Sequence, residues 1–473
     1  MTIKFGTDGW RGIIAQDFTF ENVRYCAQGV SRYLLENGLA QRGLVVGYDT
    51  RFASEDFALA VAEVVAGNGI TTYLCQQAAP TPVLSYNVLD RQAGGGAMIT
   101  ASHNPAKWNG FKYKPEYAGS ASPEIVAALE QHIADVSTSR AVKSKSWASA
   151  LEQGIGKSID PASPYLEHMA RMVDIQRIKD AGLRVVVDPM YGAGAGYFTS
   201  LLSGGSIRVQ EIHSERNPIF PGMGQPEPVA HNLNGLSKAV LQQNADVGLA
   251  LDADADRFGL VDEKGNFITP LQVFALLALY FLDIKGEQGA LVKSLTATSM
   301  VFRLGELFNV PVHETPVGFK YIGPIMTQEN ALIGGEESGG FGFRGHIPER
   351  DGILSGLFLL DMMVETGKRP SELVEYLYSR VGPHHYRRDD VIFDPERRHG
   401  MEKRLQEARP DAIGGTRVAS RDNVDGTRFI LEDGSWVIVR FSGTEPLLRV
   451  YAEAESPNRV DILIAEARDL VGV

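Results

Sequence analysis

Short apolar runs alternate with longer amphipathic stretches through most of this chain, and that alternation limits the folds open to it. The runs at 44–48, 71–74 and 97–99 are too short for helices and too apolar for exposed loops. The stretches at 20–36, 54–66 and 80–89 repeat apolar residues at helical spacing. Strands separated by helices re-enter a sheet in the same direction, so the pattern predicts a largely parallel sheet with helices on both faces. It recurs with strands at 183–187, 207–212 and 247–251 around a helix at 236–243, and again with helices at 271–283 and 298–309 and strands at 289–293 and 311–314. Helices at 353–365 and 371–378 close that third set. Past 386 the pattern changes. A charged helix at 395–408 precedes consecutive strands near 427–431, 435–440 and 447–453 and a helix at 457–470, which is an α+β order.

A chain of 473 residues is too long for one core. The changes of pattern divide it into α/β units at 1–145, 146–262 and 263–382 and a smaller α+β unit at 383–473, with the first division in the Ser-, Lys- and Ala-rich stretch 137–149. Net charge of −12 disfavours a nucleic-acid partner. No run of about eighteen apolar residues is available to span a membrane; the longest candidate, 273–282, reads as a buried helix. Cys26 and Cys75 are too few for a disulfide framework or a cysteine-rich zinc site. With no signal-peptide pattern at the N-terminus, a cytoplasmic protein with reduced thiols is expected.

Four polar stretches interrupt the apolar pattern where chemistry could sit. Strand 97–99 runs into Thr100-Ala101-Ser102-His103-Asn104-Pro105, and Pro105 denies the chain a helical continuation. A serine on a stiff loop at a strand end is either a polar turn or a reactive hydroxyl. No Gly-x-Ser-x-Gly elbow surrounds Ser102, which argues against a hydrolase triad with His103. Strand 247–251 runs into Asp252-Ala253-Asp254-Ala255-Asp256-Arg257. Continued as a strand, these carboxylates would spread over about 13 Å, beyond the reach of one ion at about 3.3 Å per residue. Either the chain curls and they converge on an oxygen-loving cation such as Mg²⁺, or they are simply solvated. An EF-hand is opposed by Arg257 standing where that loop needs glycine. Gly335-Glu336-Glu337-Ser338-Gly339-Gly340 offers carboxylates and a hydroxyl suited to polyol hydroxyls, or an acidic loop. Arg440-Phe441-Ser442-Gly443-Thr444-Glu445-Pro446, with Arg449 nearby, has the cations, hydroxyls and glycine of a phosphate nest. Arg11 in Gly6-Thr7-Asp8-Gly9-Trp10-Arg11-Gly12, Lys112, Lys293 and Lys320 after Gly318 are further cations; each alone reads as a surface charge.

Together these stretches resemble the α-D-phosphohexomutases, over nearly the whole chain and in the family's order. Thr100–Pro105 is similar to the phosphoserine loop, Asp252–Arg257 to the metal loop, Gly335–Gly339 to the sugar loop and Arg440–Pro446 to the phosphate loop. The resemblance implies four domains around a central cleft and a phosphorylated Ser102. It implies Mg²⁺ on Asp252, Asp254, Asp256 and a phosphoserine oxygen. Glu336 and Ser338 would hold sugar hydroxyls. Arg440, Ser442, Gly443, Thr444 and Arg449 would hold the phosphate that is not reacting. Arg11, Lys112, Lys293 and Arg257 match positions near substrate, with Lys112 the first candidate for proton transfer and His103 the second. A sugar 1,6-bisphosphate would prime the enzyme, working as a monomer or homodimer on a hexose phosphate. Some dual-specificity mannose/glucose members have Met and His where Glu337 and Gly340 stand here, and Gly318-Phe319-Lys320-Tyr321 looks more like the phosphoglucomutases. Glucose phosphate is therefore the expected substrate, with mannose and glucosamine phosphates as alternatives.

Overall fold

The computed structural model describes residues 3–6, 8–442 and 446–473. The first sheet contains β1 (Trp10–Ile13), β2 (Leu44–Tyr48), β3 (Thr72–Cys75), β4 (Gly95–Ile99), β5 (Trp108–Pro115) and β6 (Gly156–Ile159), in the order β1-β5-β4-β2-β3-β6. The second contains β7 (Arg184–Asp188), β8 (Arg208–Glu211), β9 (Val247–Leu251), β10 (Phe258–Val261) and β11 (Phe267–Ile268), in the order β11-β10-β9-β7-β8. The third contains β12 (Leu291–Ser294), β13 (Val312–Thr315), β14 (Ile333–Gly335) and β15 (Phe341–Phe343), in the order β13-β12-β14-β15. The fourth, wholly antiparallel, contains β16 (His385–Ile392), β17 (Ala412–Ile413), β18 (Thr416–Asp422), β19 (Thr427–Leu431), β20 (Trp436–Phe441) and β21 (Leu447–Ala454).

The first three sheets share one plan. A first strand (β2, β7, β12) lies between two parallel neighbours, and the later of these (β4, β9, β14) turns back into an antiparallel strand (β5, β10, β15). Ser102, the Asp252–Asp256 run and Glu336–Ser338 all sit in that one turn, each in a different sheet. The first sheet extends past the division expected near 145, because β6 pairs parallel with β3.

The alternation of apolar residues explains the packing. Val23, Val30 and Leu34 of helix Phe20–Glu36 bury against Val46, Ile99 and Phe111 of the first sheet. The second and third sheets share one core. Leu249 and Leu251 join Leu291, Ile333 and Phe341 through helices Pro270–Leu279 and Gly352–Thr366. Each such fully buried aliphatic side chain contributes about 1.5–3 kcal/mol. The fourth sheet packs Val437, Val439 and Val450 against Leu463 of helix Pro457–Val471. It meets the third unit through Leu295, Trp436, Ile438 and Tyr451. Among the described residues, no helix is long and apolar enough to cross a membrane.

Candidate active site

β4 is buried along its whole length, and the chain leaves it through Thr100, whose hydroxyl accepts from the Ser102 N–H at 2.8 Å. Ser102 lies in the left-handed region, at φ 51°. Its side chain is buried, and Oγ donates to Asp252 Oδ2 at 2.9 Å and stands 3.4 Å from His103 Nδ1. Burial, followed by the cations of Arg257, Arg11 and Arg51, holds the His103 ring well below its ordinary range, so it is neutral. Arg11 donates to the Asn104 side chain.

The acidic run curls as convergence requires. The Ala255 N–H reaches back to Asp252 O at 2.9 Å, with Ala255 at φ 55°. One oxygen from each of Asp252, Asp254 and Asp256 then falls within a cluster no wider than 4.8 Å. All three carboxylates are buried. Asp254 Oδ2 accepts from Thr81 Oγ1 at 2.6 Å and Lys112 Nζ at 2.9 Å, and Asp256 Oδ2 pairs with Lys112 at 3.2 Å and Arg350 at 2.9 Å. Asp254 Oδ1 and Asp256 Oδ1 are buried without a hydrogen-bond partner among the described residues. Burial, then the charges of Asp254 and Asp256, push the Asp252 carboxyl well above its usual range. Burial acts the same way on Asp254, but Lys112 and the Thr81 hydroxyl outweigh it and its pKa falls. Clustered oxygens with two unused, buried lone-pair sets fit a hard divalent cation.

Lys112 lies on β5, opposite Met98 of β4. Burial alone would favour the neutral amine, but Asp254, Asp256 and Asp8 outweigh it and raise its pKa. Its third partner, Asp8, stands 2.9 Å away. Asp8 comes from the glycine-rich N-terminal loop, in which Gly9 has φ 92° and a Cβ would meet Phe111 O at 2.5 Å. Arg350 ties this loop to the others, contacting Asp8 and Asp256 at 2.9 Å, Glu349 at 3.1 Å and Glu336 at 3.5 Å. Burial raises the pKa of Glu336, with Arg350 opposing. Ser338 is half-buried in the same turn. Arg257 joins the cluster through its backbone N–H, 3.0 Å from Asp252 Oδ1, while its guanidinium pairs with Glu227.

A second set of predicted residues gathers between the third and fourth units. Lys293 is buried against Glu314 at 2.8 Å, and Glu314 also binds Arg428 of β19. Arg440 pairs with Asp425 at 2.7 Å, and Asp425 accepts from Val317 N at 3.1 Å, next to Gly318. Arg449 lies 3.9 Å from Asp390. The Ser442 N–H bonds Leu447 O at 2.8 Å across the β20–β21 turn. Gly443 and Thr444 lie outside the described residues. Lys320 stacks over Tyr321 at 5.2 Å. Glu337, next to Glu336, reaches towards the fourth unit, accepting from Tyr386 at 2.9 Å.

Sequence reasoning missed Asp8, Arg51, Thr81, Lys114, Glu349 and Arg350. Asp8 lay in a loop read only for Arg11. Arg350 lay in the charged run Glu349-Arg350-Asp351, and three adjacent charges ordinarily mark a surface.

Four family models match in succession. They describe phosphoglucomutase/phosphomannomutase α/β/α domains I, II and III, at 2–140, 163–265 and 269–381, and the C-terminal domain, at 401–470. A phosphoglucomutase/phosphomannomutase from Thermococcus kodakarensis is 31% identical over 455 residues, 96% of this chain and 95% of that one. The chain belongs to the phosphoglucomutase/phosphomannomutase family. It is thereby an isomerase-class phosphohexomutase of the α-D-phosphohexomutase superfamily, with the four-domain architecture expected from its pattern. A phosphoglucosamine/phosphogalactosamine mutase from Sulfurisphaera tokodaii is 29% identical, covering 99% of this chain and 98% of the relative. The solved structure of a putative phosphomannomutase from Thermus thermophilus covers both chains completely, at 35% identity and a TM-score of 0.86. These relatives differ in the sugar their names carry.

Proposed function

We propose that this enzyme interconverts glucose 1-phosphate and glucose 6-phosphate through a phosphoserine at Ser102 and a glucose 1,6-bisphosphate. The observation that carries the reading is the Ser102 hydroxyl seated 2.9 Å from an acidic triad with unused oxygens. Asp252, Asp254, Asp256 and a phosphoserine oxygen would hold Mg²⁺, which would offset charge on the transferring phosphoryl group. In the forward half, the Ser102 Oγ–P bond breaks and a bond from phosphorus to the free sugar hydroxyl forms. The bisphosphate then reverses and returns its other phosphoryl group to Ser102. Glu336 and Ser338 orient the sugar hydroxyls. Arg440, Ser442, Gly443, Thr444 and Arg449 grip whichever phosphate is idle, with Lys293, Gly318 and Lys320 beside them and Arg11 and Arg257 at the reacting end. The sugar hydroxyl proton needs an acceptor. Lys112 points its ammonium at Asp8, Asp254 and Asp256. His103, at 3.4 Å from Ser102 Oγ, supplies a ring nitrogen and is the better candidate.

Glu337 and the Gly318–Tyr321 stretch favour glucose over mannose or glucosamine. Comparing kcat/KM for glucose, mannose and glucosamine 1-phosphates, with Mg²⁺ and the matching bisphosphate, tests that preference; a higher value for either alternative replaces it. Ser102→Ala should abolish turnover while leaving a folded protein. Intact mass should show one phosphate on the primed wild-type chain, and turnover by Ser102→Ala would sink the mechanism.

A further inference from the structure

We propose that Arg51 is the positioning residue that holds the Ser102 loop in register for phosphoryl transfer. The inference rests on Ser102 being the phosphoryl carrier. Arg51 is fully buried. Its guanidinium collects the backbone of the loop. Nη2 donates to the carbonyls of Ser102 and Asn104, and Nη1 donates to those of Pro105 and Trp108, both at 3.1 Å. Four carbonyls of one loop thus turn inward onto one cation. Inside the loop, Asn104 N bonds Ala101 O and Trp108 N bonds Pro105 O, both at 3.0 Å, so Pro105 O is shared with Arg51, while among the described residues the carbonyls of Ser102 and Asn104 take their hydrogen bonds from Arg51. Ser102 itself carries the strained φ of 51°, a conformation that persists only where its surroundings over-determine it.

The far side of the guanidinium faces a carboxylate that is itself fixed. Arg51 Nε stands 3.2 Å from Asp49 Oδ2, and Asp49 Oδ1 is held by the Arg51 N–H at 2.9 Å and Ser54 Oγ at 2.8 Å. The ring of Phe220, from the second unit, lies 5.0 Å from the guanidinium. Thr50 Oγ1 donates to Tyr191 O of that unit at 2.8 Å. The residues that grip the serine loop therefore also sit on the junction that brings Asp252 to Ser102. A planar fork can aim its Nη1 and Nη2 donors at four carbonyls while its charge faces a carboxylate; a lysine ammonium, with three donors at one point, cannot. Misplacing a reacting atom by about 1 Å can cost about 10²-fold in rate.

The test compares Arg51→Lys, Arg51→Gln and Asp49→Asn with the wild-type chain. Each is assayed for mutase kinetics, transfer of phosphate from bisphosphate to Ser102 by intact mass, Mn²⁺ affinity and thermal melting. Arg51→Lys and Arg51→Gln should lower kcat and the rate of Ser102 phosphorylation by about 100-fold, with KM for the sugar phosphate and Mn²⁺ affinity within about threefold of wild type. Asp49→Asn should lower kcat less, with the same unchanged KM. Folded Arg51 variants with wild-type kcat overturn the proposal, and so does a loss confined to KM. Failure of every variant to fold also overturns it, since Arg51 would then hold the domain and not the loop. Failure of the underlying mechanism reads differently: the wild-type chain itself would take no phosphate on Ser102.

Discussion

The carboxylates of Asp254 and Asp256 each keep one buried oxygen without a partner among the described residues, although Lys112 and Arg350 satisfy the others. An unmet buried acceptor costs about 1–3 kcal/mol. Two such oxygens on neighbouring carboxylates of one acidic cluster are what a bound cation would use. Metal binding should therefore stabilise the fold directly. Metal-stripped protein given Mg²⁺ at about a hundredfold its Kd should gain about 2.7 kcal/mol of stability. Asp254→Asn should lose at least about half of that gain and raise the Mg²⁺ concentration for half-maximal turnover by at least about tenfold, corresponding to about 1.4 kcal/mol. Urea unfolding with and without Mg²⁺ checks it, and an equal gain in wild type and variant would place the ion elsewhere.

The three turns that carry chemistry are one structural element used three times. Each leaves a parallel strand and returns antiparallel, and each holds a residue at positive φ: Ser102 at 51°, Ala255 at 55° and Gly339 at 87°. The third turn docks on the second, since Phe258 N donates to Gly339 O at 2.9 Å. A Cβ at Gly339 would lie 2.7 Å from Phe258 O, in a backbone conformation that already disfavours a side chain. Gly339→Ala should thus push the sugar loop off the acidic loop and raise KM for the hexose phosphate about tenfold, a shift of about 1.4 kcal/mol, with a smaller change in kcat. Steady-state kinetics decides it; an unchanged KM would mean the loop adapts. The central parallel strands β2 and β9 were legible in the sequence because they are near-continuous apolar runs, and both match their expected spans. The returning strands were not. β5 carries Lys112 and Lys114, which are buried by ion pairs with Asp8, Asp254 and Glu349 and so break the apolar pattern of a central strand. β14 and β15 are three-residue strands in a glycine-rich stretch that reads as a turn. Helix Phe319–Glu329 contains Pro324, which argues against a helix locally. The repeat itself was hidden because its units keep their strand order while sharing few residues. Asp49 and Asp188 mark the same place after β2 and in the last position of β7, each accepting from the N–H two residues on at 2.9 Å.

At the scale of the whole molecule, the units meet through polar contacts as well as apolar ones, and one junction ties stability to pH. Tyr86 of helix Thr81–Asp90 stacks on His168 of helix Ala162–Met172 at 4.5 Å. His168 Nε2 meets His346 Nδ1 at 3.0 Å, and His346 Nε2 meets Asp351 Oδ2 at 2.9 Å. Asp351 also accepts from Tyr165 at 2.8 Å and caps helix Gly352–Thr366 through Leu354 N at 2.9 Å. The chain of two imidazoles and one carboxylate uses only the His168 Nε2–H, so the surroundings of His168, not this bond, set its charge. Burial first, then His346 and Arg171, lower the His168 pKa to about 4. In the unfolded chain it takes its proton near the ordinary value of about 6.5. Between those values the unfolded state binds more protons, so stability falls as pH drops from about 6.5 towards 4. His168→Gln can still donate to His346 but cannot titrate there. Urea midpoints at pH 7, 6 and 5 should therefore decline less steeply in the variant than in wild type. Parallel slopes throughout would show that His168 ionises alike in both states, and the junction would then be indifferent to its charge.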